Sequence, residues 1–187
     1  MNNDITKALE VLRNGGLILY PTDTIWGIGC DASNSEAVKK IYALKQRSDS
    51  KSMLVLVDYV SRIERLVGEV PEVAWDLVEL STTPLTVIYP DAKNLAPELI
   101  AEDGSIGIRV ANDEFCQKLI TRFGKPIVST SANISGKPSP SFFDEIEDEV
   151  KQGVDYVVVH RQNDTVHRRP SSIIKLGRSG EIKIIRE

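Results

Sequence analysis

Little in this sequence could build a metal centre or a disulfide framework. The chain has two cysteines, Cys30 and Cys116, and two histidines, His160 and His167, among 187 residues. The cysteines are far apart, no Cys-x-x-Cys occurs, and the histidines form no ligand cluster with them. A bound metal is therefore not expected, and a reducing compartment is. Long apolar runs are also missing: none approaches the ~18 residues that cross a bilayer. The N-terminal MNNDITKALE lacks the basic-then-apolar order of a secretory signal. A cytoplasmic protein without a membrane segment follows as the expectation. Aromatic residues make up 6% of the chain, and the formal net charge is −4. That total argues against a broad basic face for nucleic acid, while leaving room for a local basic pocket. A Walker loop, a Gly-x-Ser-x-Gly elbow and an HExxH helix are absent, which removes three common routes to catalysis.

What is present is an ordinary globular composition, 41% hydrophobic and 27% charged. Four apolar stretches, LILY at 17–20, SMLVLV at 52–57, SIGIRV at 105–110 and KPIV at 125–128, read as strands that could each be buried on both faces. PLTVIY at 84–89 and YVVVH add further strands, and SSIIKL with EIKII closes as a hairpin around GRSG. A second strand is expected around Thr24–Gly29. Helical patterns alternate with these strands. Asp4 is placed to cap the first, with Gly15 as its stop, and Ser33-x-x-Glu36 reads as a capping box for the second. Val60–Val67 and Pro71–Leu80 are two short helical stretches. Asn112 or Asp113 caps a helix carrying Phe115, Leu119 and Ile120. Ser141-x-x-Asp144 opens an acidic helix running to about Gln152. The alternation predicts an α/β fold with a mixed sheet, in one domain spanning 1–187.

Three stretches concentrate polar groups where strands or helices end. The first is Pro21-Thr-Asp-Thr24, directly after an apolar strand, the position at which α/β sheets bind ligands. In isolation a plain turn satisfying its own backbone is the better explanation. The Gly27-Ile-Gly29 that follows is not a dinucleotide fingerprint, because six residues separate it from the strand and no βαβ unit follows; it reads as close backbone packing. The second stretch, Lys45-Gln-Arg47-Ser-Asp-Ser-Lys51, puts three cations between a helix end and a strand. It fits a solvated helix terminus or a polyphosphate site. The third, Ser129-Thr-Ser131-Ala-Asn133-Ile-Ser-Gly136, offers hydroxyls and an amide at a strand end. Arg109 ends another strand, four residues after Ser105. His167-Arg-Arg169-Pro-Ser171-Ser is either a surface loop or a lid over an anion.

Together YPTDTIWGIG, LKQRSDSK and KPIVSTSANISG resemble the YrdC-like (TsaC-type) L-threonylcarbamoyladenylate synthases, over about Gly15 to Leu176. The resemblance implies a single-domain YrdC-like fold: a twisted mixed sheet, with helices, around a large cationic cavity. It implies that L-threonine, bicarbonate and ATP give threonylcarbamoyl-AMP and pyrophosphate, for N6-threonylcarbamoyladenosine in tRNA. Mg2+ would arrive with ATP, and other proteins would carry the threonylcarbamoyl group to tRNA. Weak RNA binding is compatible with it. Lys45 and Arg47 take the catalytic places. Thr24, Arg109 and Ser129 fall on the threonine side. Arg47, Lys51, Ser105, Ser131, Asn133, Arg169 and Ser171 fall on the ATP side. Such chemistry brings anions together, so charge neutralisation and positioning can supply most of the catalysis without a protein nucleophile.

The chain departs from the family pattern in three places. Thr82-Thr-Pro-Leu-Thr86 stands where relatives often have Pro-Gly-Pro-x-Thr. Arg109-Val-Ala-Asn112-Asp113 stands for Arg-x-Pro-x-His, and Leu56 for a histidine that some carry. Two alternatives stand beside the synthase reading: a non-catalytic RNA-binding module of the same fold, and a relative that forms a carbamoyl adenylate.

Overall fold

A computed structural model describes residues 1–46 and 53–187. Arg47 and Lys51, two of the expected phosphate-binding cations, lie outside the described residues. The chain opens with helix α1 (Asn2–Arg13) and continues through β1 (Ile18–Tyr20), β2 (Gly27–Gly29), α2 (Ser35–Leu44) and β3 (Leu54–Val57). After a 3-10 turn at Val60–Arg65 come α3 (Glu72–Glu79), β4 (Leu85–Tyr89), β5 (Ile106–Val110), α4 (Glu114–Phe123) and β6 (Ile127–Ser131). The rest is α5 (Asp148–Gln152), β7 (Tyr156–Val157), β8 (Ser172–Leu176) and β9 (Ile182–Arg186). The strands form one mixed sheet in the order β7-β1-β2-β6-β3-β5-β4-β8-β9. β3 runs parallel to β5 and β4 parallel to β8, while β3 and β6 are antiparallel. The α/β mixed-sheet expectation therefore holds. No helix among the described residues is long and apolar enough to cross a membrane.

Alternation along the strands separates two faces. Val55, Val87, Ile108 and Val128 are fully or almost fully buried on one. The register that aligns Leu56 with Arg109, Thr86 with Arg109 and Leu54 with Ser129 puts the polar side chains together on the other. β5 runs Ile106-Gly-Ile108-Arg109-Val, so a strand that looks continuously apolar in sequence still presents its arginine to that second face.

Several elements are shorter or differently capped than the sequence suggests. β2 begins only at Gly27, because Thr22 gathers the preceding turn: its hydroxyl bonds the carbonyl of Ile25 at 2.8 Å. Asn34, not Ser33, caps α2 by accepting from the Ala37 amide at 3.2 Å, while Ser33 is taken by Asp31. Asp4 lies inside α1, where its carboxylate accepts from the Tyr156 hydroxyl and the Val159 amide and ties the helix to β7. The acidic helix after Ser141 is broken into a 3-10 turn at Phe143–Glu145 and the short α5. Glu145 folds back to accept the Ser141 and Phe142 amides, which uses it as a turn former. β7 is only two residues long. The reading of Asp113 as a cap stands: it accepts from the Cys116 amide at 3.0 Å, and Gly124 ends α4 in the left-handed region.

Gly29 shows why the Gly-Ile-Gly pair has nothing to do with a dinucleotide. A Cβ there would sit 2.6 Å from the Tyr20 ring and 2.7 Å from the Val128 carbonyl oxygen. Tyr20 is itself fixed, donating to that same carbonyl at 3.1 Å. Gly29→Ala should therefore destabilise the protein by about 1–3 kcal/mol through overpacking. At ~2–4 °C per kcal/mol for a chain of this size, thermal melting reads it directly. An unchanged melting temperature would show that the β1-β2-β6 region yields more easily than its contacts suggest.

Candidate functional site

The polar face of the sheet forms the floor of a cavity with two adjoining lobes. The smaller, about 220 Å³, is lined by Thr24 from the turn before β2, Arg109 from β5, Ser129 and Ser131 from β6, Ser171 before β8 and Arg186 from β9. The larger, about 1010 Å³, is lined by Thr86, Ser105, Gly107, Lys175 and the 97–103 segment. Met53, Leu54 and Ile173 border both lobes. Sequence-distant stretches meet here because β2, β6, β3, β5, β4 and β8 are neighbours in the sheet.

The cavity is not uniformly cationic among the described residues, as the family pattern led one to expect. Arg109 and Arg186 give the smaller lobe its positive charge. The larger has Glu98, Glu102 and Asp103 against Lys175. Lys175 is paired with Asp103, and Asp103 also accepts from the Ser105 hydroxyl at 2.5 Å. These bonds, the lysine first, hold the Asp103 carboxyl at about 2. Carboxylates on this wall match neutral hydroxyls and amines better than they match phosphate.

Arg109 is nearly enclosed, with a side chain 4% exposed, and its Nη2 lies 3.1 Å from Asp23 Oδ1. Burial pushes the Asp23 carboxyl above its usual range, the guanidinium pulls it back, and Asp113 pushes it further up. The same Nη2 reaches the Thr22 hydroxyl at 3.5 Å, whereas Nε is buried with no hydrogen-bond partner. An enclosed guanidinium on the wall of an open lobe is suited to a ligand carboxylate or phosphate.

Lys45 is placed differently from the expectation. It caps the C-terminal end of α2, is 2% exposed, and is not among the residues lining either lobe. Its ammonium donates to the carbonyls of Ser131 and Asn133 at 2.5 and 2.7 Å. The Ser135 amide returns a bond to the Lys45 carbonyl. The cation stretch and the Ser-Thr-Ser-Ala-Asn stretch are thus brought together, with Lys45 stitching one to the other. Asn133 serves the same loop: its amide nitrogen donates to the carbonyls of Ile134 and Lys137, and its Oδ1 is buried without a partner. Thr24, Arg109, Ser129, Ser131 and Ser171 line the smaller lobe and Ser105 the larger. Arg169 is exposed, next to the lobe-lining Pro170 and Ser171.

Arg186 escaped the sequence reading altogether. The closing strand EIKIIRE looks like a surface hairpin, and nothing local distinguishes its arginine. Pairing does, because Arg186 lies opposite Ile173 beside a register shift in the β8–β9 ladder. There its Nε and Nη2 both donate to the Ser171 carbonyl, at 3.0 and 2.7 Å. Burial and the neighbouring Arg109 lower its proton affinity, yet a guanidinium stays charged at neutral pH. The ion pair of Asp23 with Arg109 was also missed, since a turn aspartate ordinarily bonds its own backbone.

Comparison with known proteins gives a consistent picture. The Sua5/YciO/YrdC family model, described as telomere recombination, matches residues 10–187. The threonylcarbamoyl-AMP synthase of Stutzerimonas stutzeri is 33% identical over 181 residues, covering 95% of this chain and 95% of that protein. The crystal structure of E. coli YciO superposes with a TM-score of 0.86 at 26% identity, over 100% of this chain and 90% of that one. The structure of P. abyssi Sua5 complexed with L-threonine gives a TM-score of 0.81 at 28% identity. It is matched by 92% of this chain, which spans only 50% of that longer protein.

Proposed function

The chain belongs to the Sua5/YciO/YrdC family, and on that premise we propose that it is a threonylcarbamoyl-AMP synthase. The observation that carries the proposal is the smaller lobe, which an enclosed arginine lines together with the hydroxyls of Thr24 and Ser129. Such a set suits an α-amino acid: the guanidinium takes the carboxylate, and the hydroxyls meet the amine and side chain. That a relative has been solved with L-threonine supports threonine as the amino acid.

The reaction follows from the chemistry of these groups. Neutral threonine amine and bicarbonate condense to the N-carboxylate with loss of water. An oxygen of that carbamate attacks the α-phosphorus of ATP, and pyrophosphate leaves. Three anionic partners must be held close together, so Arg109, Arg186 and the cations Arg47 and Lys51 would act by neutralising charge and aligning the attack. Ser131, Ser171 and Ser105 would hold the nucleotide, with its nucleoside end towards the larger lobe. The product is an activated acyl group for cytoplasmic tRNA modification, passed on by other proteins.

The deciding assay measures pyrophosphate release. It should require threonine and bicarbonate together; release independent of either would reject the proposal. The retained RNA-binding alternative predicts no release at all.

Magnesium would come with ATP. Among the described residues no group of His, Cys, Asp and Glu could hold a metal ion, and ATP-bound Mg2+ needs few protein ligands. Purified protein should thus carry no stoichiometric metal by elemental analysis, and EDTA should stop turnover until Mg2+ is restored. Tightly copurified metal needed for activity would contradict this.

A further inference from the structure

We propose that Arg161 is a positioning residue for the amino-acid end of the cavity: it staples the 161–168 loop to the Thr22 carbonyl and thereby fixes the Thr24 hydroxyl as a hydrogen-bond acceptor towards the ligand. The inference rests on the reading of the smaller lobe as an amino-acid site.

The staple is built from several bonds. Arg161 Nη1 donates to the Thr22 carbonyl at 3.0 Å, and Nε donates to Asp164 Oδ2 at 3.1 Å. Asp164 also accepts from Arg168 Nη1 at 2.6 Å and, through Oδ1, from the Val166 amide at 3.0 Å. The Val166 amide, Arg168 and Arg161 together hold its carboxyl at about 2, so it is ionised throughout the neutral range. One carboxylate thus fastens two guanidiniums and the loop backbone. The loop leads directly into Pro170 and Ser171 on the lobe wall. Arg161 itself has φ of +70°, the left-handed region that favours glycine. A side chain that keeps such a backbone angle while bridging to a second loop is marked as a functional contact.

Counting protons then assigns polarity to Thr24. The Thr22 hydroxyl has a single proton and lies 2.8 Å from the Ile25 carbonyl, which can only accept, so the proton goes there. The Thr24 amide already donates to Thr22 Oγ1 at 3.1 Å, and Arg109 Nη2 makes a longer approach to the same oxygen at 3.5 Å, so Thr22 Oγ1 is an acceptor towards its other neighbours. The two hydroxyl oxygens are 2.9 Å apart, so the proton between them belongs to Thr24. What Thr24 shows the cavity is therefore lone pairs. A ligand group meeting it must donate, which selects an amine over a carboxylate. Arg109, beside the same turn on the wall of the lobe, takes the carboxylate. Thr22 holds this arrangement only while its peptide keeps its orientation, and the bond from Arg161 fixes that peptide.

Arg161→Gly is the informative variant, because glycine suits the left-handed angle and only the staple is lost. The threonine KM should rise ~10-fold while the ATP KM stays within about twofold, the split expected of a group acting on one substrate. Arg161→Lys keeps a donor for Thr22 and should fall between. Amide hydrogen exchange without any ligand supplies a readout independent of turnover, and the Thr24 amide should exchange faster in Arg161→Gly. If the wild type shows no threonine-dependent pyrophosphate release, the functional reading fails, and Thr24 exchange still decides the staple. Unchanged Thr24 exchange would overturn the proposal. So would threonine and ATP KM values that rise together with a fall in melting temperature, since that pattern is general structural support.

Discussion

Lys45→Ala should lower both thermal stability and turnover. The ammonium serves the carbonyls of Ser131 and Asn133 inside the protein, and truncation leaves both without a charged donor. Hydrogen bonds to charged groups are worth ~1.5–3 kcal/mol each, so a loss of at least ~3 kcal/mol is expected. That corresponds to a fall in melting temperature of about 6–12 °C. Turnover should fall as well, because Ser131 lines the cavity and its loop loses the stitch to α2. The sequence alone suggested a phosphate contact; the position of the amine makes folding and activity inseparable at this residue. Calorimetry together with pyrophosphate release below the melting transition tests this. Normal melting with lost turnover would return Lys45 to direct phosphate binding, and normal values of both would remove it from the site.

Arg109→Lys should act on one substrate. Lysine can keep the ion pair with Asp23 but loses the planar fork that matches a carboxylate. The threonine KM should rise about tenfold to a hundredfold, equivalent to ~1.4–3 kcal/mol, with the ATP KM changed much less. Initial-rate measurements varying each substrate separate the two. A defect confined to ATP would place Arg109 on the nucleotide and reverse the assignment of the smaller lobe.

Much of the architecture is legible in the sequence because burial imposes it. The apolar runs at 17–20, 54–57, 106–110 and 127–128 can be little other than strands of a covered sheet, and Asp113 and Gly124 bracket α4 as capping preferences require. Errors fall where a side chain chose a non-local partner. Asp4 abandons the cap for Tyr156 and Val159, and Glu145 abandons a helix for the Ser141 turn. The site follows the same division. Thr24, Arg109, Ser129 and Ser131 can be found because they end or punctuate strands. Arg186 and the pairing of Asp23 with Arg109 cannot, since their significance comes only from the strand order and register that bring these residues together.

The cavity wall joins Thr24 to Arg186 by way of a sheet most of whose neighbouring strands are not consecutive in sequence. Closing such long chain segments is entropically costly and slow, so contacts of this kind assemble late in folding. A nascent chain emerging from the ribosome can pack α1, β1 and β2 early, but its cavity stays incomplete until β8 has docked on β4 and β9 has supplied the last arginine. The smaller lobe therefore has its full lining only in a chain whose β8 and β9 have joined the sheet.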